Sequence, residues 1–160
     1  MKKILLAAAF MLLAFSSFAQ DGRSIYNKYS DSKGVSAVYI SPAMFRLIGH
    51  IPDLDLGGGD VNLTSVIQSL DGMYLIDSEN ADINGKIKSD AEKFVRSGKY
   101  EMLMEVKEDG EVVHMYTSGD EKVVTSFVMI AAEPGECTFI CLDGKLSRKE
   151  LEDLVADAAR

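Results

Sequence analysis

The residues of this chain that could do chemistry begin with an acidic, glycine-rich segment. Asp53, Asp55, Gly58 and Thr64 fall at positions 1, 3, 6 and 12 of a calcium-loop template. Such a loop closes on the ion through a bidentate Glu at its last position, and takes a further ligand from its fifth. Those two places hold Thr64 and Gly57, so the charge and the closing ligand are both missing. Glycines ahead of a helix also suit a phosphate, but here no strand leads in and no Lys or Arg stands near in sequence. The segment reads as a connector.

The two histidines offer acid–base chemistry. A two-residue hairpin at Asp109-Gly110 places His114 across from Glu105. A carboxylate–imidazole pair can move a proton, yet no nucleophile is implied beside it, and the simpler reading is a cross-strand charge pair. His50 lies 64 positions away at a helix end, with no HxxxH or HExxH spacing, so no metal site is expected. Met102, Met104 and Met115 share a strand face that Met129 can join. Thioethers bind Cu(I), but Val106 and Val113 share that face, which favours core packing. Cys137 and Cys141 sit four apart in a β-branched, aromatic run. Four residues along a strand are about 13 Å, and a disulfide needs Cα atoms within about 7 Å. Two buried thiols are expected rather than a bridge. No GxSxG, SxxK or Rossmann fingerprint occurs, and the sequon Asn62-Leu63-Thr64 falls at a helix start. Neither a catalytic residue nor a cofactor is implied.

These residues must be carried by regular elements. Ser24–Tyr29 can form a short helix, and Val35–Ile40 alternates as a strand. Ser41-Pro42 opens a helix whose stripe is Met44, Leu47, Ile48 and Ile51, with Pro52 at its end. A second stripe is Leu63, Val66, Ile67 and Leu70, followed by a strand at Met73–Ile76. Ala81–Ser97 is a longer helix with Ile83, Ile87, Ala91, Phe94 and Val95 inward and Gly98 expected as a left-handed cap. Strands follow at Tyr100–Lys107, Glu111–Thr117, Lys122–Ala131 and Glu136–Leu142, separated by turn residues. The hairpin register puts Met102, Met104, Val106, Val113 and Met115 on a core face. It leaves Leu103, Glu105, Lys107, Val112, His114 and Tyr116 on a mixed face. Ser147 and Glu150 make a capping box for a last helix with Leu151, Leu154, Val155 and Ala158 inward. The expected fold is α+β: a mostly antiparallel mixed sheet of two βα-type units, a four-stranded meander and a C-terminal helix, with helices on one face.

Residues 1–19 have the parts of a signal peptide: Lys2 and Lys3, an apolar run from Ile4 to Phe15, and Ser17-Phe18-Ala19 before a cut at Gln20. The run is short of the roughly 20 residues a span needs, and no Cys follows the cut, so neither a stable membrane insertion nor a lipoprotein is expected. Residues 20–160 are then one domain, exported to the periplasm or beyond. The full chain carries a net charge of −8. Removing residues 1–19 takes two lysines and no acid, which gives −10 and disfavours nucleic acid and anionic lipid as partners.

Three segments carry a family likeness: Ile40-Ser41-Pro42-Ala43-Met44-Phe45, Tyr100 through Val106, and Ile140-Cys141-Leu142-Asp143-Gly144-Lys145-Leu146. In these the chain resembles the exported bacterial proteins grouped as domain of unknown function 4252. The resemblance implies export and one domain, and transfers no catalytic residue. The leading functional reading is an interaction module that binds another envelope protein through Leu103, Val112 and Tyr116 on an uncovered sheet face. A small-ligand carrier with a pocket near residues 42–60 is the second. An enzyme resting on Asp53, Asp55 or Glu105 comes last.

Overall fold

The computed structural model describes residues 21–48 and 63–149. Helix α1 (Gly22–Tyr29) starts at Asp21, whose side chain accepts the Ser24 N–H at 2.9 Å. This satisfies one of the donors a helix leaves free at its start. The chain then forms β1 (Val35–Ile40), α2 (Pro42–Ile48), α3 (Leu63–Gln68) and β2 (Leu70–Ser78). Helix α4 (Ala81–Ser97) follows, capped by Asn80, and then β3 (Tyr100–Glu108), β4 (Glu111–Gly119), β5 (Val123–Glu133) and β6 (Glu136–Ser147).

The six strands form one open sheet in the order β1-β2-β6-β5-β4-β3. All five pairings are antiparallel, so the described sheet is not mixed as expected. Strands β3 to β6 lie side by side in chain order. The hairpin turn has φ of 44° at Asp109 and 90° at Gly110, the doubly positive geometry that suits the twist of the strands.

Alternation divides the sheet into two faces. On one, Tyr74, Ile76, Val128, Ile130, Phe139 and Cys141 are buried beneath Ile25 and Tyr29 of α1 and Ile87, Ala91, Phe94 and Val95 of α4. Among the described residues, the other face is covered only at one end. There Phe45 of α2 and Val66 and Ile67 of α3 pack with Leu70, Val124, Leu146, Ile40, Met73 and Leu142. The expectation of helices on one face is therefore corrected: both faces carry them, unequally.

Three local expectations also change. In α2 the inward residue is Phe45, while Met44 and Leu47 are exposed. The larger ring takes the core position and sets the helix's rotation. Leu70 opens β2 instead of ending a helix. Gly98 is extended (φ −87°, ψ 174°), not left-handed, because the chain passes at once into β3, with the Tyr100 ring where a Cβ would stand. The signal-peptide segment, His50, the 53–60 loop and the last helix from Glu150 onward lie outside the described residues. Among the described residues no helix is long and apolar enough to cross a membrane.

Candidate functional site

The β3–β4 hairpin projects past the helices. On β3, only Tyr100 escapes full exposure. The register is the expected one as far as Met104↔Met115, with Glu108↔Glu111 and Val106↔Val113. Beyond that a bulge intervenes, and Met102 pairs with Tyr116. Leu103 is the extra residue, and it is 55% exposed. Because a bulge shifts alternation by one, Met102 moves to the face of Tyr116.

Glu105 and His114 are brought together, with Nε2 to Oε2 at 2.7 Å. Lys107 Nζ also reaches Glu105 Oε1 at 2.8 Å. The hydrogen bond from Lys107, then that from His114, holds the Glu105 carboxyl below its ordinary value. The carboxylate is therefore saturated by two partners. It is a charge-paired surface group rather than a base poised near neutral pH.

Val112 and Tyr116 are half-buried on the face that the main helices cover further in. Tyr116 rests edge-on to His114, with ring centroids 6.0 Å apart. Burial, followed by the charges of Glu92 and Glu105, raises its phenol. Beside it, the end of α4 and the hairpin enclose a groove of about 440 Å³ lined by Glu92, Val95, Arg96, Gly98, Tyr100, Met102 and Tyr116. Nothing in the sequence signals this groove, because it depends on the bulge at Leu103, which turns Met102 towards Tyr116, and on the extended Gly98.

Deeper under α1 and α4 lies a polar chain. Tyr100 Oη donates to Ser126 Oγ at 2.9 Å, and Ser126 Oγ lies 3.7 Å from Cys141 Sγ. Burial pushes the Tyr100 phenol up to about 12 and the Cys137 thiol up to about 11, and raises the Cys141 thiol further. Both cysteines are free and buried. A thiol held protonated in this way is a poor nucleophile and a poor metal ligand. Among the described residues no group of three or more His, Cys, Asp and Glu could hold a metal ion.

The opposite face of the same strands carries the methionines. Val38, Leu75, Ile140, Met129, Met115 and Met104 stand in register, one from each strand. Val38 and Met104 are exposed at 44% and 43%, and the four between them are half-buried. Phe127, Ala131, Val113 and Val106 extend the apolar surface to either side. No described helix packs on this middle region. Among the described residues, the face expected to be core is thus the open one, and the expected contact residues Val112 and Tyr116 point to its reverse.

A family model, "Domain of unknown function (DUF4252)", matches residues 29–154. The chain belongs to that family. The match spans every described strand. No curated protein and no solved structure matches the chain. The DUF4252 assignment therefore brings no catalytic residue with it, and function rests on the surfaces just described.

Proposed function

We propose that this DUF4252 domain is a non-catalytic interaction module, exported by cleavage near Ala19–Gln20, that docks another envelope protein on its open sheet face. The row Val38–Leu75–Ile140–Met129–Met115–Met104 is the observation that carries this reading. A contiguous apolar surface left uncovered by the described helices suits a contact site. Methionine suits such a site, since its unbranched, polarisable side chain moulds to a partner. Leu103 at the bulge lies at the rim of this surface, while Val112 and Tyr116 support it from behind.

Photo-crosslinking from the open face tests the reading. A benzophenone side chain at position 104 or 115 should trap a discrete partner in the envelope fraction, and one at Lys86 on α4 should not. Met115→Asp should abolish the capture while the far-ultraviolet spectrum and melting midpoint stay close to wild type. Met115→Gln, a milder change, guards against misfolding. Equal trapping at all three positions would refute a specific site on this face. The export step is read separately, by N-terminal sequencing of secreted material, with Gln20 expected first.

The groove under α4 favours a second reading, a carrier of a small amphipathic ligand. Its volume is within the usual range for ligand sites. Its lining includes none of the described residues 42–48; residues 49–60, the rest of the segment where a pocket is expected from the sequence, lie outside the described residues.

A further inference from the structure

The open face ends in a row of like charges. Val113 and Val106 stand opposite each other, and two residues further along the same face come Glu111 and Glu108, also opposite each other. On the next strands Ala131 pairs with Thr138, and two residues further on Glu133 pairs with Glu136. The register of β4 on β5 brings Glu111 alongside Glu133. Four adjacent strands therefore each place a glutamate in one line, about 13 Å from the methionine row.

Like charges directly opposite on a ladder destabilise it. Among the described residues, none of the four glutamates has a Lys or Arg within salt-bridge distance. Glu133 and Glu136 stand directly opposite each other, and the hydrogen bond and charge of Glu133, then burial and the charges of Asp77 and Glu79, raise the Glu136 carboxyl. Some carboxylates of this chain do meet cations, as Glu105 does Lys107 and His114, and Asp90 Lys28. What sets this row apart is its alignment across four neighbouring strands on the open face.

We infer that the occupant of the open face is a basic amphipathic protein segment, with an apolar stripe against the methionine row and Lys or Arg side chains against Glu108, Glu111, Glu133 and Glu136. The inference rests on the docking reading above and names the chemistry of its partner. A second copy of this chain would bring the same glutamates and no cationic counterpart to them. An anionic membrane surface would be repelled by the row. A cationic segment would give the four glutamates oppositely charged neighbours as it buried the apolar rows, and complementary rim charge would steer it into place.

The six strands are about 24 Å across from first to last, which a helix of about 16 residues spans. The probe is a labelled peptide of that length with leucine on one face and lysine on its flanks. The control keeps the leucines and carries glutamate instead. Fluorescence anisotropy should show the lysine peptide binding and the glutamate peptide not. Raising the salt from about 0.02 M to 0.3 M should weaken binding several-fold, since the rim charges are exposed. The triple change Glu111→Gln, Glu133→Gln, Glu136→Gln should weaken it about fivefold, since three exposed rim pairs are lost. The same variant should melt no lower than wild type, because it removes repulsion. Equal binding of both peptides, or indifference to salt and to the glutamine changes, would overturn the cationic partner and leave the docking surface standing. Lysine-peptide binding that survives Met115→Asp would overturn both. Failure of the lysine peptide to bind would overturn the inference, with the crosslinking result deciding the docking reading on its own.

Discussion

Asp90 on α4 accepts a hydrogen bond from Lys28 Nζ at 2.5 Å and another from Tyr29 Oη at 2.6 Å, and so ties α4 to α1. Burial works to raise its pKa, but the two hydrogen bonds outweigh it and the carboxyl lies below its ordinary 3.8. A group whose pKa is lowered on folding adds stability above its unfolded value, and loses it as pH falls through the folded one. Asp90→Asn should therefore cost about 1–2 kcal/mol at neutral pH. The cost should shrink as the pH drops below about 4, where the wild type forfeits the same contribution. Paired urea titrations of the two proteins across that range measure it. At the same scale, the buried thiols should resist alkylation. Native protein at about pH 8 should leave Cys137 and Cys141 unmodified by iodoacetamide, and urea should expose both, since the thiolate is the reactive form. Rapid modification of either in the native state would contradict the raised pKa values.

At the scale of elements, two helix glycines have opposite consequences. Gly22 opens α1 directly over Cys141, and a Cβ there would overlap both Sγ and Cβ of that side chain. Gly85 on α4 has nothing within 4 Å of the equivalent position. Gly22→Ala should destabilise by about 2 kcal/mol through overpacking, whereas Gly85→Ala should stabilise by up to about 1 kcal/mol through helix propensity. Thermal melts of both variants, read side by side, check the sign as well as the size. How far such elements were legible in the sequence depends on what encodes them. The extent of helix α4 was legible, because a long stripe from Ile83 to Val95 and the glycine after Ser97 are local signals, although that glycine is extended and the Asn80 cap was not read. The hairpin register was legible because Asp109-Gly110 admits one tight turn. The bulge at Leu103 was not: nothing in Tyr100–Val106 breaks the alternation, and the shift arises where β3 must also pack Tyr100 under α4. The rotation of α2 was missed because Met44, Leu47 and Ile48 form as good a stripe as Phe45 does, and only the Leu70–Val124–Leu146 cluster decides between them. For the candidate site, alternation grouped Met104, Val106, Val113 and Met115 correctly. Which face a helix covers is a tertiary fact, so core and open side were exchanged.

At the scale of the whole molecule, the described helices are unevenly distributed over a six-stranded sheet. Strands β2, β5 and β6 are sandwiched by the main core or the smaller cluster, and each alternates buried with half-buried residues. Strand β3 is an edge, bulged, and exposed along nearly its whole length. Local opening costs least where few apolar contacts must be broken. Backbone amides of β3 should therefore exchange with solvent fastest among the strands, β4 next, and those of β2, β5 and β6 near the rate set by global unfolding. The bulge and the charges of Glu101, Glu105 and Lys107 keep this weak edge from pairing with other chains. A partner on the open face would change the order. By laying apolar surface on Met104, Met115 and Met129 it would clamp the hairpin to the rest of the sheet, so β3 and β4 amides should slow while those of α1 and α4 stay as they were. A ligand in the groove instead would slow the end of α4 and Tyr100 through Met102 first. Amide exchange followed residue by residue, with and without the lysine peptide, separates the two. Protection of β3 equal to that of β5 in the free chain would mean that the methionine face is already covered.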